Sequence, residues 1–242
     1  MGRDIKKHMR NKVIENAKRD LPLYLDDFQK FWGFSVDEIS DDDLYKTYRA
    51  TLVFKNWKLS LNSIGINDYN LILNELFEDI NSSFFLALFG QYRSAHLHMR
   101  SSIELTLQFL YFIHHPIEYQ QWKDGNFVIK FEKLCDYLKK HPFFKVDVSN
   151  IFQTIFQNWK YFSKHIHGES PIFFQCEKDV RKTNSFSKKD FNIWRGNFEK
   201  NVYYLNKLLL LFFNNEFNRI PEASKGILTD LLNDDEKNLM NT

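Results

Sequence analysis

The chain has 242 residues, with 33 Lys and Arg against 31 Asp and Glu, so the formal net charge is only +2. That balance does not mark the whole chain as a nucleic-acid binder and leaves room only for a local basic patch. Its 25 Phe, 11 Tyr and 5 Trp make an aromatic core, while 8 Gly and 5 Pro are too few for the turns of a sandwich or barrel.

A chain of this length buries roughly 70–75% of its unfolded surface and needs no disulfide or metal staple. Cys135 and Cys176 have neither metal-ligand spacing nor a disulfide framework, which points to a reducing compartment. The charged start, Met1 to Lys7, leads into no apolar signal segment. The longest apolar runs, Phe84–Phe89 and Leu208–Phe213, fall far short of the ~20 residues that span a bilayer. The expectation is a cytoplasmic protein with no membrane contact.

Taken in chain order, residues 4–31 read as a helical stretch that Pro22 could kink. Asp41, Asp42 and Asp43 suit the positive end of a helix dipole and open a helix carrying Leu44, Tyr48, Leu52, Phe54 and Trp57. Gly65, Asn67 and Asp68 mark a turn. A helix follows through Ile72, Leu73 and Leu76, and Asn81-Ser82-Ser83 can cap the next.

That next helix is expected at about 84–114, as the central element. Phe85, Leu88, Tyr92, Ala95, Met99, Ile103, Thr106 and Leu110 fall on one stripe, and Pro116 ends it. Phe127–Lys139 reads as a short helix. A helix from Ser149 to about His167 has Ile151, Ile155, Trp159, Phe162 and Ile166 as its apolar stripe, with Gly168 as terminator. Residues 168–187 read as a basic loop, Phe191–Phe217 as a long apolar helix, and 222–233 as a short helix before a frayed polar tail. The fold class is therefore all-α: a helical bundle around one long central helix. An N-terminal region (1–64) lies on a bundle (65–220), and a short terminal helix and tail (221–242) follow.

Two constellations could carry chemistry. Helical steps place Arg93, His96, Arg100 and Glu104 within roughly 60° of one another on the flank of the central helix. Either Arg100 and Glu104 satisfy each other one turn apart, or Glu104 orients Arg100 to bind an anion such as phosphate. On the second helix Lys160, Ser163, Lys164 and His167 share a side turned about 100° from the apolar stripe. His167 stands at a helix C-terminus, where the dipole favours its protonated form and a general-acid role, or a capping role for the last carbonyls. His165, on the other flank, reads as structural.

His96 and His98 cannot share a metal, because positions two apart on a helix point about 160° away from each other. No metal or cofactor is expected. Nucleophile elbows, phosphate-binding glycine loops and zinc-protease motifs are absent. Lys178, Arg181, Lys182, Lys188 and Lys189, interleaved with Phe173, Phe174 and Phe186, could bind single-stranded nucleic acid or be an ordinary solvated loop.

The stretch Tyr92–Glu104 with Ala95, Arg100 and Glu104, then Leu107–Phe112, Phe162-Ser163 and His167-Gly168, resembles a group of bacterial helical proteins. That group is similar to the HEPN superfamily, whose members include metal-independent ribonucleases of toxin–antitoxin and phage-defence systems. The resemblance spans about residues 65–220. It implies a helical bundle that often forms a homodimer, with RNA or a protein of the same defence system as partner.

The family signature pairs an Arg with a following His. On this chain His167 would be that His. No Arg occurs in 150–170, Lys160 stands in its place, and Arg93 to His98 fits the spacing literally. The assignment drawn from the resemblance has Arg100 and Glu104 facing His167, assisted by Lys160 or Lys164. Arg93, His96, Ser163, Lys164, Arg181 and Lys182 would line the binding surface. The alternative is a non-catalytic helical module that binds RNA or a protein partner.

Overall fold

The computed structural model describes residues 15–23, 25, 39–167, 170 and 186–239. Residues 15–23 are helical through Pro22. Then follow α1 (Asp41–Ser63), α2 (Asn70–Leu88), α3 (Tyr92–Phe112), α4 (Pro116–Lys123), α5 (Phe131–Leu138), α6 (Ser149–His167) and α7 (Lys188–Phe212). A 3-10 turn (Asn214–Arg219), α8 (Glu222–Leu228) and α9 (Asp234–Leu239) complete the chain. No strand occurs among the described residues, so the fold is all-α, and no helix there is long and apolar enough to cross a membrane.

The expected single helix over 84–114 is two helices. Phe84–Leu88 close α2, and the chain turns at Gly90, whose φ is +71°. The Gly90 amide donates to the Ala87 carbonyl (3.0 Å) and the Gln91 amide to Leu86 (2.7 Å). These crossed bonds are the Schellman motif, which wants a left-handed residue and therefore favours glycine. Gly65 (φ +89°) ends α1 in the same way. Ser83, expected near a helix start, lies inside α2. Its hydroxyl donates to the Ala95 carbonyl (2.9 Å) and accepts from the Trp194 indole (3.1 Å), joining α2, α3 and α7.

α3 remains the hub and touches α2, α4, α5, α6 and α7. Leu105, Thr106, Leu107, Phe109, Leu110 and Phe112 are all buried. Each fully buried large apolar side chain contributes roughly 1.5–3 kcal/mol, which offsets the entropy of ordering the bundle. α1 closes one side against α7 and α8. There the Trp57 indole donates to Asn206 Oδ1 (2.8 Å) and the Asn206 amide to the Leu228 carbonyl (2.7 Å).

Three boundaries differ from expectation. α5 starts at Phe131, after the non-helical residues 126–130. α7 gives way to the 3-10 turn after Phe212. The terminal helix stops at Leu228, and part of the tail expected to fray is α9. Asn233 and Glu236 cap each other's backbone amides there (2.9 and 3.0 Å), a reciprocal capping box. Glu236 also pairs with Lys207 and Tyr203 of α7.

Candidate functional site

The open side of α3 carries Arg93, Leu97, Arg100, Glu104 and Gln108 at helical spacing, none of them buried. Midway along it, Arg100 Nε donates to Glu104 Oε1 (3.1 Å), and the same oxygen accepts from the Trp159 indole of α6 (2.7 Å). The Arg100 guanidinium lies 4.9 Å from the Trp159 ring centre. The Phe131 ring of α5 stacks on Trp159 at 4.4 Å and 8°. Arg100 and Phe131 thus both pack on the indole. Beside the indole opens a cavity of about 290 Å³ between α3, α5 and α6, rimmed by Lys130 and Glu132.

A second cluster forms where the start of α3 meets the end of α6. Arg93 Nε donates to the His165 carbonyl (2.7 Å) and a terminal nitrogen to the Ile166 carbonyl (3.0 Å). Those carbonyls lie in the last turn of the helix, so a cation there meets the negative end of the dipole. One turn along α3, His96 is buried and stacks on His165 at 4.0 Å and 2°. Its Nδ1–H donates to the Tyr92 carbonyl (2.6 Å), which fixes the neutral tautomer. Burial, with His165 alongside, depresses the His96 pKa to about 3. Burial and then the Arg93 charge lower that of His165.

The expected convergence of Arg100 and Glu104 with His167 does not occur. Arg100 and Glu104 meet α6 at Trp159, and His167 lies eight residues further on, about 12 Å along the axis at 1.5 Å per residue. The structure instead brings His167 near Arg93, whose fork grips the carbonyl one peptide group before it. The antiparallel register of α3 and α6 sets this pairing. His167 is exposed.

Of the side expected to hold Lys160, Ser163, Lys164 and His167, Ser163 departs. It is buried, and its hydroxyl donates to the Trp159 carbonyl of its own helix (2.7 Å). Lys160 and Lys164 are exposed, and the Lys160 ammonium lies 4.4 Å from the Phe156 ring centre. His96, expected to bind, is a core residue. Arg181 and Lys182 lie outside the described residues.

His96 and His98 do diverge. His96 faces α6, and His98 Nδ1 meets Asp79 Oδ1 of α2 at 2.7 Å. His114 and His141 stack on each other and against Phe143 and Phe212, and burial lowers both pKa values. Among the described residues no group of three His, Cys, Asp or Glu side chains is arranged to hold a metal ion.

Sequence reasoning missed Trp159, Phe131 and Lys130. Trp159 reads as one more apolar stripe residue. The neighbouring Lys160, which is solvent-facing, is the signal that it stands at the margin of the buried face. No protein-family model, curated protein or solved structure matches this chain.

Proposed function

We propose that this chain is a HEPN-like effector of a bacterial defence or toxin–antitoxin system that engages RNA along the exposed face of α6. One observation carries this reading. Lys160, Lys164 and His167 recur at helical spacing and are all exposed, α6 contains no Asp or Glu, and the stripe ends beside the exposed Arg93. Two lysines one turn apart on one rigid helix are suited to successive phosphates, and their attraction is independent of base sequence. The near-neutral total charge calls for a local patch of this kind rather than a uniformly basic surface.

A second reading, metal-independent cleavage, is favoured by the pairing of Arg93 with the end of α6. His167 would accept the proton of a ribose 2′-hydroxyl as that oxygen bonds to the adjacent phosphorus, the P–O bond to the 5′-oxygen would break with that oxygen taking a proton from water, and the anchored guanidinium would stabilise charge gathering on the phosphate. Arg93 thereby takes the cationic role that the sequence had assigned to Arg100.

The test is incubation of purified protein with a fluorescent single-stranded RNA. Binding that weakens with salt and is at least tenfold weaker in a Lys160→Glu/Lys164→Glu variant supports RNA engagement, and unchanged binding contradicts it. Cleavage by the parent but not by His167→Ala, with binding retained, assigns catalysis to His167. Binding without cleavage leaves the non-catalytic module. Capture of a protein partner in a salt-insensitive manner, with no RNA affinity, replaces RNA by protein.

A further inference from the structure

We propose that the cavity between α3, α5 and α6 binds a small organic anion, a carboxylate or phosphate monoester with a compact apolar body, through Arg100. This site is separate from the α6 stripe and does not rest on the RNA reading.

The argument starts from donor accounting. A guanidinium offers five N–H donors. Arg100 commits Nε to Glu104, and its other four N–H groups have no protein acceptor among the described residues, although the side chain is only 22% exposed. None of its terminal nitrogens is a buried, unpartnered atom, so these donors reach solvent, and because Arg100 lines the cavity a ligand there can take them up.

Glu104 is in the opposite position. Its Oε1 already accepts from both Arg100 and the Trp159 indole, so it acts as the support that aims the guanidinium. The Trp159 face against Arg100 fixes the plane of the fork, and Phe131 fixes Trp159 in turn. A planar fork held on its Nε side and on one face presents its remaining edge to two oxygens at once, which is bidentate carboxylate or phosphate geometry.

The rest of the cavity sets the ligand's body. Ile129, Leu134 and Phe131 supply apolar wall, Gln108 a neutral polar group, and Lys130 a second cation at the rim. A volume of about 290 Å³ holds one ring and its anionic group. Glu132, also at the rim, disfavours a second negative charge on the ligand's outer end.

The experiment uses the full chain with benzoate and phenyl phosphate as probes and benzylamine as the cationic control. Binding is followed by the Trp159 indole N–H signal in NMR, assigned through Trp159→Phe. Both anions, or one of them, are expected to shift that signal with Kd on the order of 1 mM, as one bidentate ion pair and one buried ring allow. Preference between the two identifies the carboxylate or phosphate source. Arg100→Gln is expected to abolish the shift. Lys130→Glu, at an exposed position that leaves folding intact, is expected to weaken binding about tenfold. No shift with either anion, a shift with benzylamine instead, or full affinity in folded Arg100→Gln or Lys130→Glu overturns the proposal.

Discussion

His96 and His165 lie parallel with their ring centres 4.0 Å apart, one on α3 and the other on α6. Two imidazoles can share that separation only while at least one is neutral, and the buried His96 is the one held neutral. The folded pKa of His96, about 3, is below the ordinary 6.5. The unfolded chain therefore binds more protons between these values, and stability falls as pH drops through the window from about 6.5 to 3. It is fully present above 6.5. The effect reaches roughly 5 kcal/mol at the acid end. Chemical denaturation at pH 7.5 and 4.5 is expected to show about 3 kcal/mol of this loss, and His96→Phe, which keeps the stack and removes the titration, is expected to shrink it. An equal loss in His96→Phe would place the acid sensitivity elsewhere.

Arg93 ties the end of α6 to the start of α3 through two carbonyls. Arg93→Ala is expected to cost about 1–2 kcal/mol, the lower range for hydrogen bonds to a charged donor at an exposed site. Amide hydrogen exchange should accelerate in the last turn of α6 while α7 is unchanged. Uniform acceleration across the bundle would mean that Arg93 has no local role.

The Trp57–Asn206–Leu228 chain joins α1, α7 and α8 inside the core. Asn206→Leu strands a buried indole N–H and a buried carbonyl at once. The expected cost is roughly 2–4 kcal/mol in urea unfolding. Trp57→Phe with Asn206→Leu should recover part of it, because the donor and its partner leave together.

Gly90 separates α2 from α3 at a φ of +71°. Gly90→Ala should destabilise the protein by about 1–2 kcal/mol. It should not fuse the helices, because α2 and α3 each bury their own face. A variant more stable than the parent would show that the turn is not held in the left-handed region.

The apolar stripes at 3.6-residue spacing made most of the helices legible, because burial of a helix leaves its period in the sequence. Ser149–His167 and Asp41–Ser63 stand close to where those stripes place them. The break at Gly90 escaped, because the stripe of Leu88, Tyr92 and Ala95 keeps helical spacing across it and a lone glycine is tolerated within a helix. The candidate site was legible only within each helix. Arg100 and Glu104 meet as their spacing requires, but whether Arg93 or Arg100 lies by His167 depends on the register of α3 against α6. That register is set by His96, Tyr161, Phe162 and His165 interlocking, which no local pattern records.

RNA engagement by α6 is tested most directly by the salt dependence of affinity for a single-stranded RNA. The parent should lose affinity steeply with salt. Lys160→Glu/Lys164→Glu should bind at least tenfold more weakly, with a log–log slope shallower by roughly 1.4, the value for two phosphate contacts on a single strand. An identical affinity and slope in the two proteins would contradict the account.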